Sequence, residues 1–547
     1  MDFNQDTFFE QLKTYSNIAN IIVYGASFHA TAILDSLKVN NSKQKIYVAV
    51  SNTHGEDNYM SGFRIYCIKD LKHLVNNCIV IIAARSSLHD VMEITARTIG
   101  FTNFIRVNEH TISDINMNKY HYDISQIKYE LKLSKYLQYE TLNNMRLNDL
   151  RRKVERGCKV NVLFILSSKA KFNFSTVYKA LENIGIFDIT LICFSEYYYS
   201  DWFIPEVTDM KNYTSELKEN GYNAIWGYDD SYLPLPIENF SPDIVIFNYP
   251  QLYDKNAAQF VHKITHNSLT CYIPYGMHVA NFFNYHFENK NILPAWIHFI
   301  DTKPAYNICT INASNHGINS VLSGHPMIDE YLDIHNSKLP IKFKNKKKII
   351  IYAPHSTVDE GNNTSSFHIF FKYFISLLDK FPDINFIFKP HPSLGMKINR
   401  HEFENRTIGI KYNEYIKYCE QWDTKPNGVV ITDSSFINLF READCLITDS
   451  YSFITSWLPT DKPCIFLMNP QGPVDPYQFY YPFIKQIIDS YYVCRTEDDI
   501  DDILDNVIIN GNDTKKCDRQ IQKDKIIYNF GHAGEFIANY IYKQITG

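Results

Sequence analysis

The chain has 547 residues, of which 45% are hydrophobic and 21% charged, and this predicts a globular protein of about two to four domains. Its net charge of -6 excludes a general attraction to nucleic acid. No run of about 18 apolar residues is present to span a bilayer, and the acidic, polar N-terminus does not resemble a secretory signal.

The eleven cysteines are scattered along the sequence and form no CxxC pair. Cys78, Cys193 and Cys445 lie in apolar runs, which is typical of reduced thiols in the core of a cytoplasmic protein. We therefore expect a cytoplasmic location. Any contact with the inner face of the cytoplasmic membrane should be peripheral.

The first segment, residues 1–118, has the alternating pattern of a small Rossmann-like accessory domain. Ile21–Tyr24 is predicted to be a buried strand, Gly25 a turn and His29–Lys38 a helix. A dinucleotide fingerprint needs three glycines and an acidic residue after the second strand. Only Gly25 of those glycines is present, and the second strand ends in VAVSNTHG. NAD binding is therefore the less favoured alternative.

Residues 119–157 are predicted to form a helical linker with at most one break, because apolar residues recur at helical spacing and no Pro or Gly precedes Gly157. Its last turn is basic, with Arg151, Arg152, Lys153 and Arg156. Basic residues suit the C-terminal end of a helix dipole, which is the favoured interpretation. A contact with anionic lipid or glycan is the alternative.

Residues 158–335 and 336–547 each alternate apolar strands with helices, which predicts two domains with parallel sheets. The strand runs are KVNVLFIL, DITLICFS, NAIWGY, DIVIFNYP and LTCYIPYG, then IIIYAPHS, NFIFKPHP, VVITDS, CLITDS and PCIFLM. In tandem, two such domains form a cleft between the carboxyl ends of their strands. The predicted fold class is α/β, a GT-B-like pair of Rossmann-type domains after the small Rossmann-like domain and the linker.

Polar residues follow several strands of the second of these domains. Lys389 and His391 follow FIF, and the prolines around His391 fix its direction. We expect a protonated His391 beside Lys389 to stabilise negative charge on a phosphate. The alternative is a turn histidine whose hydrogen bonds go to the backbone. Pro354 and His355 end another strand in the same way.

The strand CLIT is followed by a polar turn and a helix, and these residues form the 449–453 turn: Asp449, Ser450, Tyr451, Ser452 and Phe453. The serine hydroxyls could donate to phosphate oxygens, whereas the carboxylate would suit His391 or a ribose better. Simple N-capping of the helix is the alternative. Asp433 and Ser434 follow the preceding strand in the same order, an acidic residue and then a serine before a short helix. The backbone there could surround a nucleobase.

In the first of the two domains, the run CYIPYGMH ends a strand with Tyr275, Gly276, Met277 and His278. Gly276 allows close approach of an acceptor, and Tyr275 or His278 could take a proton from its hydroxyl. His325 in SGHPMIDEYL is interpreted as structural. No metal site is expected, because the acidic pair Asp229–Asp230 does not have the DxD spacing of a site for a pyrophosphate-bound cation.

The motifs YAPHS, FKPHP, LITDSYSFITSWLPTDKPCIFL and GHPMIDEYL resemble the CDP-glycerol glycerophosphotransferase family, which includes teichoic acid and capsule polymerases. The resemblance covers about residues 240–547. It implies a GT-B fold, with a CDP-activated donor in the C-terminal domain and release of CMP. It also implies that His391 contacts the donor phosphates and that the donor-binding positions are Pro354, His355, Asp433, Ser434 and Ser450–Phe453.

Two positions depart from the family pattern. Tyr275 stands where the WHGT motif of the polymerases has its proposed catalytic histidine, and an unperturbed phenol, with a pKa near 10, is a poor base at neutral pH. Met327 replaces the arginine of GxPRxD. These changes leave open a donor other than CDP-glycerol, such as one carrying ribitol phosphate or O-methyl phosphoramidate.

The leading hypothesis is a phosphotransferase that moves a CDP-activated group to a sugar hydroxyl of a bacterial surface polysaccharide or lipid-linked saccharide. It needs no cofactor, metal or nucleic acid. One alternative is a sugar-nucleotide-dependent glycosyltransferase in capsule synthesis. The other is a non-catalytic glycan-binding subunit. Preference for cytidine nucleotides over UDP and GDP separates the first hypothesis from the second.

Overall fold

The computed structural model describes residues 5–25, 30–31, 33–34, 37, 44–51, 59–60, 62–84, 88–107, 122–195, 203–249, 267–289, 291–332, 343, 347–358, 364–404, 409–432, 436–473, 475 and 477–547. The chain forms two compact units. One is Met1–Glu130, and the other comprises Leu131–Val358 and Asn362–Gly547.

The N-terminal unit contains a six-stranded sheet in the order β3-β4-β2-β1-β5-β6. Its strands are β1 Asn20–Tyr24, β2 Lys45–Val50, β3 Tyr59–Met60, β4 Phe63–Cys67, β5 Cys78–Ile82 and β6 Phe104–Arg106. Only the β3–β4 pair is antiparallel. Helices α1 Gln5–Thr14 and α2 His89–Ile99 and a 3₁₀ helix at Ile68–Leu74 complete the described elements. Of the predicted helix His29–Lys38, several residues lie outside the described ranges.

Helix α3, Tyr122–Glu155, is one unbroken element where the linker helix was predicted. Part of its basic end makes structural contacts. Arg151 Nε donates to the Gln544 carbonyl at 2.8 Å, and Lys153 Nζ lies 2.5 Å from Asp243 Oδ2. Arg152 pairs with Asp149. These contacts support a structural role for the basic turn.

The second unit contains two parallel sheets, and the first lobe is built on a seven-stranded one in the order β13-β12-β11-β10-β7-β8-β9. Its strands are β7 Val160–Leu166, β8 Phe187–Cys193, β9 Ala224–Trp226, β10 Ile244–Phe247, β11 Leu269–Tyr272, β12 Ile297–Ile300 and β13 Ser320–Leu322. Its helices are α4 Ser175–Ile184, α5 Phe203–Glu219, α6 Phe283–His286 and α7 Lys303–Asn312, with 3₁₀ turns at Lys169–Lys171, Ile237–Phe240 and Pro326–Leu332.

The second lobe has a six-stranded parallel sheet in the order β16-β15-β14-β17-β18-β19. Its strands are β14 Lys348–Ala353, β15 Ile384–Phe388, β16 Gly428–Val430, β17 Cys445–Thr448, β18 Cys464–Leu467 and β19 Tyr492–Cys494. Its helices are α8 Phe367–Lys380, α9 Leu394–Phe403, α10 Tyr412–Thr424, α11 Ile437–Glu442, α12 Tyr451–Trp457, α13 Pro482–Asp489, α14 Glu497–Ile503 and α15 Lys516–Ile526, with short turns at Leu458–Thr460 and Leu504–Ile509. The central strands are buried on both faces, as continuous apolar runs predict.

Helix α16, Ala533–Thr546, follows the second lobe in sequence but packs into the core of the first, where Ile537 and Ile541 are buried. Asp329 accepts hydrogen bonds from the backbone N–H of Ala533 at 3.0 Å and of Gly534 at 2.7 Å. A Cβ on Gly534 would lie 2.3 Å from Thr176 Oγ1 in α4, so only glycine permits this approach. The GHPMID segment thus fastens α16 to the first lobe.

The three largely parallel sheets confirm the predicted α/β class, with a pair of Rossmann-type domains in GT-B-like arrangement and a smaller Rossmann-like sheet before them. The finer division into 1–118, 119–157, 158–335 and 336–547 stays a prediction. Among the described residues, no helix is both long and apolar enough to cross a bilayer.

Candidate active site

The predicted donor-binding residues meet at one edge of the second-lobe sheet. Strands β14 and β17 are neighbours, and the chain leaves them toward opposite sides, so their carboxyl ends form the topological switch point where open α/β sheets bind ligands. His355 follows β14, Lys389 and His391 follow β15, and the 449–453 turn follows β17. Asp433 and Ser434 lie outside the described residues.

Asp449 is the centre of this edge. Its Oδ1 accepts the backbone N–H of His355 at 2.5 Å. Its Oδ2 accepts from Ser366 N at 2.6 Å, Ser366 Oγ at 2.9 Å and Ser365 Oγ at 3.2 Å. Burial raises the pKa of Asp449 to about 6, while these hydrogen bonds oppose the shift. The carboxylate is therefore charged at neutral pH. It holds the backbone of His355 and the 365–366 turn rather than the ring of His391, which corrects the expectation for His391, while a contact with a ribose stays a prediction.

His391 lies beside His355, with the two ring centroids 4.8 Å apart. The backbone N–H of Ser393 donates to His391 Nδ1 at 3.2 Å, so the proton of the neutral ring is on Nε2. Burial, with the cations Lys397 and Lys389, lowers the pKa of His391 to about 4. The structure thus favours a neutral His391 over the expected protonated ring, because a partly buried ring near two lysines has a lowered pKa.

The 449–453 turn begins helix α12. Ser450 is its N-cap: its Oγ accepts from Phe453 N at 3.4 Å, and its N–H donates to Thr448 Oγ1 at 3.0 Å. Ser452 Oγ lies 3.4 Å from Ser450 Oγ. N-capping, one of the two interpretations of this turn, is therefore confirmed.

Two aromatic members of the turn pack into the protein rather than line an open edge. Tyr451 is buried and stacks on Tyr480 with ring centroids 3.6 Å apart. Phe453 packs against Phe436 and Phe440. Their contacts indicate a supporting role for the turn.

The predicted acceptor-side residues follow β11 in the first lobe and differ in exposure. Tyr275 is 43% exposed, and a Cβ on Gly276 would meet no atom within 4 Å, so both face open space. Met277 packs against the core. His278 is only 3% exposed; Asp301 Oδ1 lies 2.5 Å from its Nδ1 and Asp301 Oδ2 accepts its backbone N–H. The buried dyad orients the 275–278 loop, while a role of His278 as base stays a prediction.

A short antiparallel bridge joins this loop to the second lobe. Ala280 pairs with Tyr480, and the flanking bonds are Asn281 N to Phe479 O at 2.8 Å and Tyr481 N to Val279 O at 3.0 Å. Because Tyr480 also stacks on Tyr451, the acceptor-side loop and the 449–453 turn are connected through one tyrosine.

His325 has the structural role that its sequence context suggested. Its Nε2 donates to the Pro274 carbonyl at 3.0 Å, and its Nδ1 accepts the backbone N–H of Met327 at 3.2 Å. Burial lowers its pKa to about 4. The neutral ring thus supports the strand end that carries Tyr275. Asp229, the first residue of the acidic pair, also has a structural contact, because its Oδ1 accepts the backbone N–H of Ser231 and Leu233 in a tight turn.

We expect stability to fall as the pH is lowered from 7 to 5. Burial lowers the pKa of His286 and His355 to about 3 and of His325 and His391 to about 4, whereas the unfolded chain titrates near 6.5. The unfolded state then binds more protons between pH 6.5 and 4, so each histidine costs about 2 kcal/mol by pH 5. Asp449 has a raised pKa, so its protonation below pH 6 stabilises the folded state. This single group offsets only part of the destabilisation caused by the four histidines.

Thermal unfolding at pH 7, 6 and 5 measures this effect. His325→Gln keeps a donor and an acceptor but removes one titrating ring, so its melting temperature should depend less steeply on pH than that of the wild type. Equal slopes for the two proteins would contradict the assignment of His325 as a buried neutral ring.

Sequence reasoning missed Ser365, Ser366 and Asp301. The signal for the serines is TSSF before the helical run of α8, which marks a helix start and hence free backbone N–H groups. Asp301 ends HFID, an apolar run with one acidic residue at its end, and this strand was not predicted.

Comparison with known proteins gave one family match and several similar structures. No curated protein matches the chain significantly. UDP-GlcNAc 2-epimerase from Neisseria meningitidis bound to UDP-GlcNAc is 14% identical, with 70% of this chain and 100% of that chain covered and a TM-score of 0.45. The wall teichoic acid polymerase TagF is 13% identical, with 78% of this chain and 98% of that chain covered and a TM-score of 0.46.

Asp449, His355, His391, Ser365 and Ser366 are referred to as the Asp449 cluster. The family match falls on the part of the chain that contains this cluster. It begins after the 275–278 loop, so it does not include Tyr275. Residues 295–543 match the model of the family CDP-Glycerol:Poly(glycerophosphate) glycerophosphotransferase, and over this stretch the resemblance inferred from the sequence is confirmed.

Proposed function

We propose that the protein transfers a phosphorus-containing group from a CDP-linked donor to a hydroxyl of a bacterial surface polysaccharide or its lipid-linked precursor. The acceptor oxygen forms a bond to the donor's distal phosphorus, and the bond from that phosphorus to the bridging oxygen breaks. CMP leaves with the bridging oxygen and its electron pair, and the proton of the acceptor hydroxyl passes to the solvent. Glycerol phosphate, ribitol phosphate and O-methyl phosphoramidate all fit this scheme.

The observation that carries the proposal is the Asp449 cluster. A buried carboxylate holds the backbone of His355, whose ring contacts His391, at the switch point of the sheet. The cluster lies within residues 295–543, the stretch that matches the glycerophosphotransferase family. A buried charge is costly, and it is easiest to explain where it positions groups for a ligand.

The roles follow from the protonation states. His391 donates a hydrogen bond from Nε2 to a non-bridging phosphate oxygen, and the nearby ammonium of Lys389 stabilises the charge of the leaving CMP. Phosphoryl transfer passes through a loose transition state, so positioning and charge stabilisation contribute more than a strong base does. Tyr275, exposed at the end of β11, contacts the acceptor.

The proposal includes no cofactor for the N-terminal unit. At the end of β1, a Cβ on Gly25 would lie 2.4 Å from the Ala83 carbonyl, so this glycine serves a close backbone contact with the neighbouring strand end. Tyr24 Oη is 2.7 Å from Ser51 Oγ at the position where an NAD site would need an acidic residue. We also propose that transfer needs no metal ion and that any membrane contact is peripheral.

Nucleotide binding tests the proposal. CDP and CMP should raise the melting temperature, since a ligand at 100 times its Kd stabilises the folded state by about 2.7 kcal/mol. UDP, GDP and NAD should give no shift at equal concentration. Equal shifts with UDP would favour a sugar-nucleotide glycosyltransferase, and no shift with any nucleotide would favour a glycan-binding subunit.

A further inference from the structure

A second polar cluster lies at the switch point of the first-lobe sheet. Strands β7 and β10 are neighbours there, and the chain leaves them toward opposite sides. Ser167, Lys171 and Asn173 follow β7, Asn248 and Tyr249 follow β10, and Tyr275 follows β11. We refer to these six residues as the first-lobe cluster.

The cluster holds a lysine against two aromatic rings. Lys171 is 8% exposed, and its Nζ lies 3.2 Å from the ring centroid of Tyr249 and 5.3 Å from that of Tyr275. The two rings meet edge to face, with centroids 5.6 Å apart. Ring faces stabilise a partly desolvated ammonium. The two ring contacts hold the lysine side chain at the ligand-binding edge of the sheet.

The polar side chains around this lysine fix its position. Asn248 Nδ2 donates to the carbonyl of Lys171 and to Asn173 Oδ1, the latter at 3.2 Å. Asn173 Nδ2 in turn donates to the carbonyls of Tyr275 and Pro274. These bonds connect the three strand ends, so the cluster is a built site rather than a group of surface residues.

Two buried oxygen atoms in the cluster have no hydrogen-bond partner among the described residues. They are Asn248 Oδ1, on a residue 1% exposed, and Ser167 Oγ, on a residue 4% exposed. The amide orientation of Asn248 is secure, because the atom facing the Lys171 carbonyl must be the donor. A buried amide oxygen without a donor costs about 1–3 kcal/mol, which a ligand hydroxyl would recover.

We infer that the first-lobe cluster binds an anionic saccharide, a sugar unit that carries a carboxylate or a phosphate group. Lys171 pairs with the anionic group, Asn248 Oδ1 and Ser167 Oγ bond to sugar hydroxyls, and the exposed ring of Tyr275 packs against the sugar face. The inference rests on the proposed function, since it names the acceptor class of that transferase.

Binding of defined sugars to the full-length protein tests the inference. Glucuronic acid, glucose 6-phosphate and glucose are compared by saturation-transfer NMR in the presence of CMP. We expect at least one of the two anionic sugars to bind more than tenfold tighter than glucose. Which of them binds distinguishes a carboxylate from a phosphate. Raising the salt concentration should weaken only the anionic sugar.

Lys171→Met removes the charge and keeps the length of the side chain. It should abolish the preference for the anionic sugar and leave CMP affinity unchanged, with folding checked by thermal unfolding. Tyr275→Leu, at an exposed position, should weaken all sugars that bind. Equal binding of charged and neutral sugars, no sugar binding while CMP binds, or a Lys171→Met variant that keeps the preference would each overturn the inference. Sugar binding without any CMP binding would instead refute the proposed function alone.

Discussion

Replacing His391 by alanine is expected to lower the rate of CMP release by about 10²–10³-fold, as the loss of one charge-stabilising donor does in other enzymes. The donor in question is Nε2–H, because Nδ1 already accepts from Ser393. The rate is measured with whichever of CDP-glycerol and CDP-ribitol the wild-type protein turns over. Stability should change little, since the ring is only partly buried and no core cluster includes it.

Two further variants sharpen this test. His391→Gln keeps a neutral donor and should recover part of the lost rate, whereas a role that requires a cation would show no recovery. His532→Ala removes an exposed histidine at the start of α16 and should keep wild-type activity. A wild-type rate for His391→Ala would remove this residue from the mechanism.

Replacing Asp449 by asparagine is expected to lower both stability and donor affinity. The amide can present only one oxygen, so either the N–H of His355 or the group of donors from Ser365 and Ser366 faces an NH₂ group. Leaving such donors unpaired in the interior costs about 2–4 kcal/mol. We expect a lower denaturation midpoint in urea and a weaker response of the melting temperature to CDP.

Asp444→Asn is the matched control. Asp444 also accepts a backbone N–H, from Ile349 at 2.8 Å, but it lies at the amino ends of β14 and β17, away from the proposed donor site. Its replacement should cost about 1 kcal/mol of stability and leave CDP affinity unchanged. If both variants lose stability equally and both bind CDP normally, Asp449 has no part in the site.

The strands of the second unit could be predicted because they are short runs of buried apolar residues ending in polar ones. All five predicted strands of each lobe are present. The strand at Ile297–Ile300 was missed because HFID is short and lies between a proline-containing loop and a helix. The meeting of His355, His391 and the 449–453 turn was also predictable, since parallel strands end at the same edge of a sheet.

The protonation of the site could not be predicted from the sequence. The neutral ring of His391 depends on Lys397 in α9 and on the depth of burial, and both are consequences of packing. The hydrogen-bond partners of Asp449 are His355 and residues 365–366, all more than eighty positions earlier in the chain. The burial of His278 against Asp301 likewise joins two strand ends, which no local pattern reveals.

Helix α16 has a consequence for biosynthesis. Residues 158–332 leave the ribosome long before residues 533–546, yet the first lobe needs Ile537 and Ile541 to complete its apolar interior. During synthesis the apolar surface that α16 covers in the folded protein stays exposed while about two hundred more residues are translated, at about 5–20 residues per second. The lobe proposed to receive the sugar therefore matures after the lobe proposed to hold the nucleotide.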